Sequence, residues 1–111
     1  MPMHKMTKAT AIPVSVKKAV AERDCMHGPA TCIFCGQPGA PNAHIVRRSQ
    51  GGMGVEQNII SACAKCHYAL DEGKHREEMM AEAIAYIKTF YPDWTPESVT
   101  FRKWGFLDEL K

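Results

Sequence analysis

The stretch of sequence that decides the fold runs from residue 32 to residue 66 and reads CIFCGQPGAPNAHIVRRSQGGMGVEQNIISACAKC. Each end is a C-x-x-C motif, formed by Cys32 and Cys35 at the start and by Cys63 and Cys66 at the end. Cysteines spaced i, i+3 can ligate one metal ion together, and four thiolates complete the tetrahedral shell of a structural Zn²⁺. The spacing therefore predicts a zinc site that closes the intervening 27 residues into one module.

The segment between the two motifs is rich in glycine, proline and polar residues, so burial of apolar surface alone cannot fold it. A structural Zn²⁺ contributes roughly 10–16 kcal/mol of apparent binding free energy in zinc-finger peptides, which is enough to decide folding. Paired C-x-x-C motifs without a visible secretory leader favour reduced thiols in a cytoplasm over disulfides. The fifth cysteine, Cys25, is left over as a spare thiol or an alternative ligand.

Length and charge set broader limits. A chain of 111 residues is expected to form one domain with loose ends. Its net charge of +2 neither requires nor excludes a nucleic-acid partner, although basic residues concentrate in and near the cysteine-bracketed half. The sequence has no run of about 18 apolar residues, so we expect no membrane span.

The predicted elements define an α+β fold. An arm without periodicity over residues 1–13 precedes a short helix that Ser15 can cap. β-Branched runs predict two short strands, and a helix that ends before Gly73 follows them. We expect the first strand at residues 43–46 and the glycine-rich loop at 49–54. The second strand is expected at 58–62 and the helix at about 63–70.

A longer helix is expected from about Arg76 to Phe90, because apolar residues recur on one of its faces. Thr95-Pro96-Glu97 is typical of the start of one more helical turn. The chain is thereby divided into an arm at 1–13, a core at 14–75 and a helical extension at 76–111. Trp94 and Trp104 can pack the extension, contact a partner or stack on bases. An apolar segment near the end of the sequence comprises Phe101, Trp104, Phe106 and Leu107.

Four residues carry candidate chemistry. The neutral imidazole of His44 can take a proton from water at neutral pH, as phosphodiester hydrolysis requires, although a lone strand histidine also serves as a plain hydrogen-bond donor. His67 and Asp71 are spaced i, i+4, so they share a helix face and can hold a divalent cation, or form an ordinary exposed pair. Asn58 is a suitable turn residue, and its amide can tie the glycine-rich loop to the strand.

Three stretches together resemble the HNH endonuclease family: residues 44–52 (HIVRRSQGG), 56–60 (EQNII) and 63–67 (CAKCH). Set between two C-x-x-C motifs, they are similar to small phage and prophage HNH proteins. The similarity covers about residues 15–75, and 76–103 more loosely. It implies a ββα-metal (His-Me finger) core with a four-cysteine zinc site, between an N-terminal helix and C-terminal helices.

The resemblance further implies metal-dependent hydrolysis of DNA. His44 is then the general base, Asn58 orients the loop, and His67 binds the catalytic divalent ion, which is Mg²⁺, Mn²⁺ or Ni²⁺. Candidates to neutralise DNA phosphates are Arg47, Arg48 and Lys65. An equally weighted alternative is that these three side chains are ordinary solvent-exposed residues.

One position departs from the family pattern. Many members carry Asp or His just before the base histidine, where this chain has Ala43. Asp71 is the favoured replacement ligand because of its helical spacing from His67, and His75 is the alternative. Ala43 keeps open a second function, a non-catalytic zinc-containing nucleic-acid-binding module. A protein-interaction adaptor is a third possibility, and in the family context a phage packaging terminase is a partner to consider.

Overall fold

The computed structural model describes residues 5–101, which form four helices and a two-stranded sheet. The helices are α1 (Lys5–Thr10), α2 (Val14–Arg23), α3 (Ala64–Glu72) and α4 (Arg76–Phe90), and the strands are β1 (Ala40–His44) and β2 (Ile59–Ala62). Short 3-10 turns occupy Arg48–Gln50 and Glu97–Val99. The order strand, loop, strand, helix confirms the predicted α+β fold of the ββα-metal type.

The two strands form an antiparallel hairpin in which His44 faces Ile59 and Ala43 faces Ile60. The register is irregular between Ala40 and Ala43, as at a β-bulge, which locally bends a strand. Beyond the last strand pair, the Ile45 amide still donates to the Asn58 carbonyl at 2.8 Å. The hairpin therefore remains closed up to the base of the glycine-rich loop.

The hydrophobic cluster lies between the hairpin, α3 and α4. Ala43 of β1 and Ile45, just beyond its end, belong to it, because side chains along an extended chain alternate between its two sides. Helix α4 contributes residues that the periodicity predicted, and Trp94 closes the cluster with its indole N–H donating to the Gln57 carbonyl at 2.7 Å. The fully or almost fully buried members include Ala43, Ile45, Ile60, Leu70, Ala83, Ile87, Trp94 and Val99.

A buried carboxylate ties the remaining elements together. Asp24, at the end of α2, accepts hydrogen bonds from the Ser61 amide at 2.8 Å and from the Tyr86 hydroxyl, and its neighbour Arg23 forms an ion pair with it at 2.9 Å. A carboxylate buried to 3% exposure is tolerated because each oxygen is hydrogen-bonded. Nothing in the local residue pattern around Asp24 predicts this role.

Several predicted boundaries need correction. Helix α2 begins at Val14 after Pro13, and no side chain within residues 5–101 caps it, so Ser15 is not the cap. Strand β1 occupies 40–44 rather than 43–46, and Arg48–Gln50 forms a 3-10 turn next to the glycine-rich loop. Residues 5–10, expected to lack regular structure, form α1.

Other predictions are confirmed. Helix α4 has the predicted bounds, Gly73 follows α3, and a helical turn follows Thr95. Trp104, Phe106 and Leu107 lie outside the described residues. Among the helices of residues 5–101, none has the length and apolarity that crossing a membrane requires. The division at 13/14 and 75/76 stays a prediction.

Candidate active site and metal centre

The four motif cysteines converge on one point. Their sulfur atoms all lie within 4.8 Å of one another, and the Sγ atoms of Cys35 and Cys63 are 3.7 Å apart. Four sulfurs bound tetrahedrally at about 2.3 Å from one Zn²⁺ lie roughly 3.8 Å from each other. The four cysteines therefore fit a structural Zn²⁺. Within residues 5–101, they are the one group of three or more His, Cys, Asp or Glu side chains placed closely enough to hold a metal ion.

Local backbone geometry explains why the sulfurs meet. The first motif ends in a tight turn at Gly36, whose φ of +77° is the left-handed conformation that glycine adopts without strain. The Ile33 amide donates to the Ser61 carbonyl at 3.0 Å, which fixes this turn beside β2. Cys63 is the N-cap of α3 and its sulfur accepts from the Cys66 amide at 3.4 Å. The second motif is thus the first turn of α3.

The electrostatics of the thiols also suits a metal. Burial alone would raise the pKa of Cys32, but backbone N–H groups of Cys63, Cys35 and Phe34 lower it to about 7. The pKa of Cys66 is raised by burial and by the neighbouring thiols. A coordinated cation reverses that second effect, since its charge favours the thiolate form. Cys25 is exposed and does not belong to the cluster, so it is no ligand of this site.

Asn58 is fully buried at the base of the glycine-rich loop. Its side-chain oxygen accepts from the Val46 amide at 2.8 Å, and its amide nitrogen donates to the carbonyls of Val46 at 3.1 Å and Met53 at 2.9 Å. The side chain therefore joins the end of β1 to the loop, as expected for a residue that aims His44. Three hydrogen bonds satisfy its buried amide, which accounts for an asparagine in this position.

His44 lies at the end of β1, half-buried. Its Nε2 is 2.9 Å from the carbonyl oxygen of Thr10, and because a carbonyl can only accept, Nε2 carries the proton. Nδ1 is then the unprotonated nitrogen. Burial lowers the pKa of His44; Arg48 and His67 lower it further, whereas the Thr10 hydrogen bond and Asp71 act in the opposite direction. The imidazole is consequently neutral at neutral pH and available as a base.

His67 and Asp71 lie one turn apart on α3, with His67 Nε2 3.4 Å from Asp71 Oδ2. Two ligands at right angles around an octahedral ion, each at about 2.1 Å, are roughly 3 Å apart, so this pair can share one divalent cation. Both side chains are partly exposed. Arg47 donates to the backbone carbonyl of Asp71, which links the loop to α3.

These side chains line a common pocket of about 570 Å³ between β1, the loop and α3. The structure thus brings together the predicted base, both predicted ligands of a catalytic ion and two of the three predicted DNA-contacting residues: His44, His67, Asp71, Arg47 and Arg48. The pocket has both charge signs, which suits a site that must bind a cation and a phosphate together.

The structure does not bring every candidate into the pocket. Lys65 is exposed on the first turn of α3 and is absent from the described pocket lining. Ala43 is fully buried in the core. His75 lies beyond α3, exposed and 3.6 Å from Glu78, and lines a different surface depression. Between the two candidates for the additional ligand, only Asp71 lies in the pocket.

Sequence reasoning missed several residues that line the pocket, among them Asn42 and Lys17. Asn42 could have been found, since it is two positions before His44 in the same strand and alternate residues share a face. Lys17 comes from α2, whose distance from the motif in sequence gives no such indication. The carbonyl of Thr10 was also missed, because a backbone group has no counterpart in the residue pattern.

Comparison with known proteins agrees with this geometry. The family model described as HNH endonuclease matches residues 32–73, from the first cysteine of the zinc cluster to the glycine after α3. The match confirms the resemblance of this segment to the HNH endonuclease family. No curated protein and no solved structure matches the chain.

Proposed function

We propose that this protein is a metal-dependent endonuclease that hydrolyses DNA phosphodiester bonds at the pocket between β1 and α3. The observation that carries the proposal is the convergence of His44, His67 and Asp71 on one pocket that Arg47 and Arg48 also line. The family match supports nuclease activity, and the residue roles rest on the pocket geometry.

The proposed roles follow from the residues that line the pocket and from the hydrogen bond of His44. His44, protonated on Nε2, accepts the proton of the attacking water at Nδ1. His67 and Asp71 would hold a divalent ion such as Mg²⁺, Mn²⁺ or Ni²⁺, which when bound supplies charge stabilisation at the scissile phosphate. Asn58 keeps the loop in place, and Ala43 supplies no ligand because its methyl side chain is buried in the core.

Arg47 and Arg48 would contact phosphates next to the scissile bond, and Lys65 a phosphate further along the duplex. Contacts of this kind are insensitive to sequence and weaken as salt concentration rises. Arg47 is anchored to the Asp71 carbonyl, so it is pre-positioned at the ligand pair. Its loss is expected to affect both DNA binding and the placement of α3.

The direct test uses supercoiled plasmid incubated with Mg²⁺, Mn²⁺ or Ni²⁺. The wild-type protein is expected to nick or cut the plasmid, EDTA to stop the reaction, and His44→Ala to reduce the rate by roughly 10²- to 10⁴-fold. Cutting that is indifferent to His44 would contradict the assignment of the base. DNA binding without cutting would instead support a non-catalytic nucleic-acid-binding module. The reason to consider this alternative is Ala43, which stands where many family members carry a metal ligand.

A role in phage DNA processing, with a packaging terminase as partner and the cytoplasm as location, extends this proposal. Its support is the similarity of the three motif stretches to small phage proteins. Co-purification of the tagged protein with terminase subunits from infected cells tests the partnership. A protein that is recovered without terminase yet retains its nuclease activity would restrict the proposal to DNA hydrolysis.

A further inference from the structure

The N-terminal segment of residues 9–12 packs directly against the proposed active site, outside the segment that matches the family. Three contacts hold it there. The Gly54 amide donates to the Ala9 carbonyl at 3.0 Å, His44 Nε2 donates to the Thr10 carbonyl at 2.9 Å, and Arg48 Nε donates to the Thr10 hydroxyl at 3.3 Å. Thr10 is 2% exposed, so this is a packed contact.

We propose that the backbone carbonyl of Thr10, which α1 brings to the site, is the positioning group that fixes His44 with Nε2 protonated and Nδ1 turned to the pocket. The inference rests on the proposed function for its catalytic meaning, although the positioning itself can be measured without any DNA. It makes α1 a part of the active site rather than an appendage.

The physical reason lies in the imidazole ring. A neutral imidazole carries one proton on either nitrogen, and the hydrogen bond made by one nitrogen determines the state of the other. Among residues 5–101, the Thr10 carbonyl is the group that hydrogen-bonds the His44 ring. Without this carbonyl, both tautomers become populated and the ring loses a fixed orientation, so fewer molecules present a basic Nδ1 to water.

Gly54 offers a way to remove this contact while leaving the rest of the sequence intact. A Cβ added to Gly54 would collide with the Ala11 carbonyl oxygen and lie 2.6 Å from the Ala11 carbonyl carbon. These are backbone atoms that cannot turn aside, and the φ of Gly54 lies outside the left-handed region. Gly54→Ala therefore acts by displacing the 9–12 segment from the loop, with no strain in its own backbone dihedral.

The experiment compares full-length wild type and Gly54→Ala, each loaded with Zn²⁺. Histidine labelled with ¹⁵N reports the tautomer of His44, whose signals are assigned from a His44→Gln spectrum. We expect the Nε2–H tautomer in the wild type and a mixture in Gly54→Ala. We also expect Mn²⁺-dependent plasmid nicking to fall by roughly tenfold or more, and trypsin to cleave more readily after Lys8.

Two further proteins make the result interpretable. Val14→Ala changes a side chain that is 81% exposed just after the segment, and is expected to match the wild type in every readout. Thr10→Gly retains the carbonyl but removes the buried side chain that anchors it, so an intermediate tautomer mixture and rate are expected. Zinc content and thermal melting show whether either variant has lost its core, and Thr10→Gly decides the case if Gly54→Ala does not fold.

The possible outcomes separate this inference from the proposed function. Variants that retain the wild-type tautomer, or that nick as fast as or faster than the wild type, would overturn the positioning role, and faster nicking would identify the segment as a barrier to DNA. If the wild type does not cut DNA but the tautomer changes as expected, the proposed function fails and the positioning stands.

Discussion

Helix α3 carries residues of two sets of candidate metal ligands, and the two sets differ in the number of ligands that the protein supplies. At its first turn, Cys63 and Cys66 join two cysteines from the preceding turn to form a closed set of four sulfurs. One turn further on, His67 and Asp71 form a set of two that faces a pocket. Structural zinc sites are closed, whereas catalytic sites leave positions for water and substrate. The same short helix thus supports a site for folding and a candidate site for chemistry.

The largest expected effect comes from removing one ligand of the four-cysteine set. Cys63→Ser should lower zinc content and unfold the hairpin and α3, because a structural zinc contributes roughly 10–16 kcal/mol and the core around it is small. Thermal melting by circular dichroism, with metal analysis by mass spectrometry, measures both. Cys25→Ser is the matched control, an exposed cysteine outside the cluster, and should leave both unchanged. Equal melting of wild type and Cys63→Ser would contradict a structural zinc.

Removing one ligand of the His67–Asp71 pair should instead reduce activity and leave folding intact. Asp71→Ala is expected to leave zinc content and melting close to wild type, while raising the Mn²⁺ concentration needed for half-maximal nicking by roughly 10- to 100-fold. Asp93→Ala, which changes an exposed aspartate outside the pocket lining, serves as the control. Normal metal dependence in Asp71→Ala would remove Asp71 from the ligand set and reopen the question of the additional ligand.

Asn58 is fully buried at the base of the glycine-rich loop, so its loss should affect both stability and activity. Asn58→Ala leaves the buried Val46 amide and the carbonyls of Val46 and Met53 without their partner, at a cost of about 3 kcal/mol in the free energy of unfolding. Urea denaturation measures that loss at fixed zinc. A drop in nicking below the fraction of folded protein would show that the loop also orients His44, and a drop that only follows folding would show that it does not.

The smallest effect concerns pH. Because the pKa of His44 is lowered below its ordinary value of 6.5, the base stays neutral at neutral pH, and nicking should fall only as pH decreases through that lowered pKa. Arg48 contributes to the lowering, so Arg48→Met should move the acid limb slightly toward higher pH. Rates at saturating Mn²⁺ over about pH 5 to 8 test this. An acid limb that moves toward lower pH in Arg48→Met would contradict it.

The parts of the fold that the sequence predicted well are those with local causes. Helix α4 matched because Met80, Ala83, Ile84 and Ile87 repeat at helical spacing over several turns. The zinc site and the strand–loop–strand–helix order followed from residue spacing. Strand β1 was misplaced because residues 40–42 (APN) have low β-propensity and pair with β2 only through the tertiary fold.

The site shows the same division. Side chains within the motif were predicted because their type and spacing indicate chemistry, and the structure brings five of them to one pocket. Lys17 was missed because it reaches the pocket only through the packing of α2, and the Thr10 carbonyl because it reaches His44 only through the packing of α1. Asp24 was missed for a related reason: its partners Ser61 and Tyr86 are 37 and 62 residues away in sequence.

The packing of α4 has a consequence for attempts to transplant the segment that matches the family model. The family model ends at residue 73, yet Trp94 seals the hydrophobic cluster beneath the hairpin and Tyr86 completes the hydrogen bonds of Asp24. A graft that stops at residue 73 would expose Ile60 and Leu70 to water, and one that begins before Asp24 would also leave that carboxylate without its Tyr86 partner. The portable unit therefore extends through Val99, some twenty-six residues beyond the matched segment.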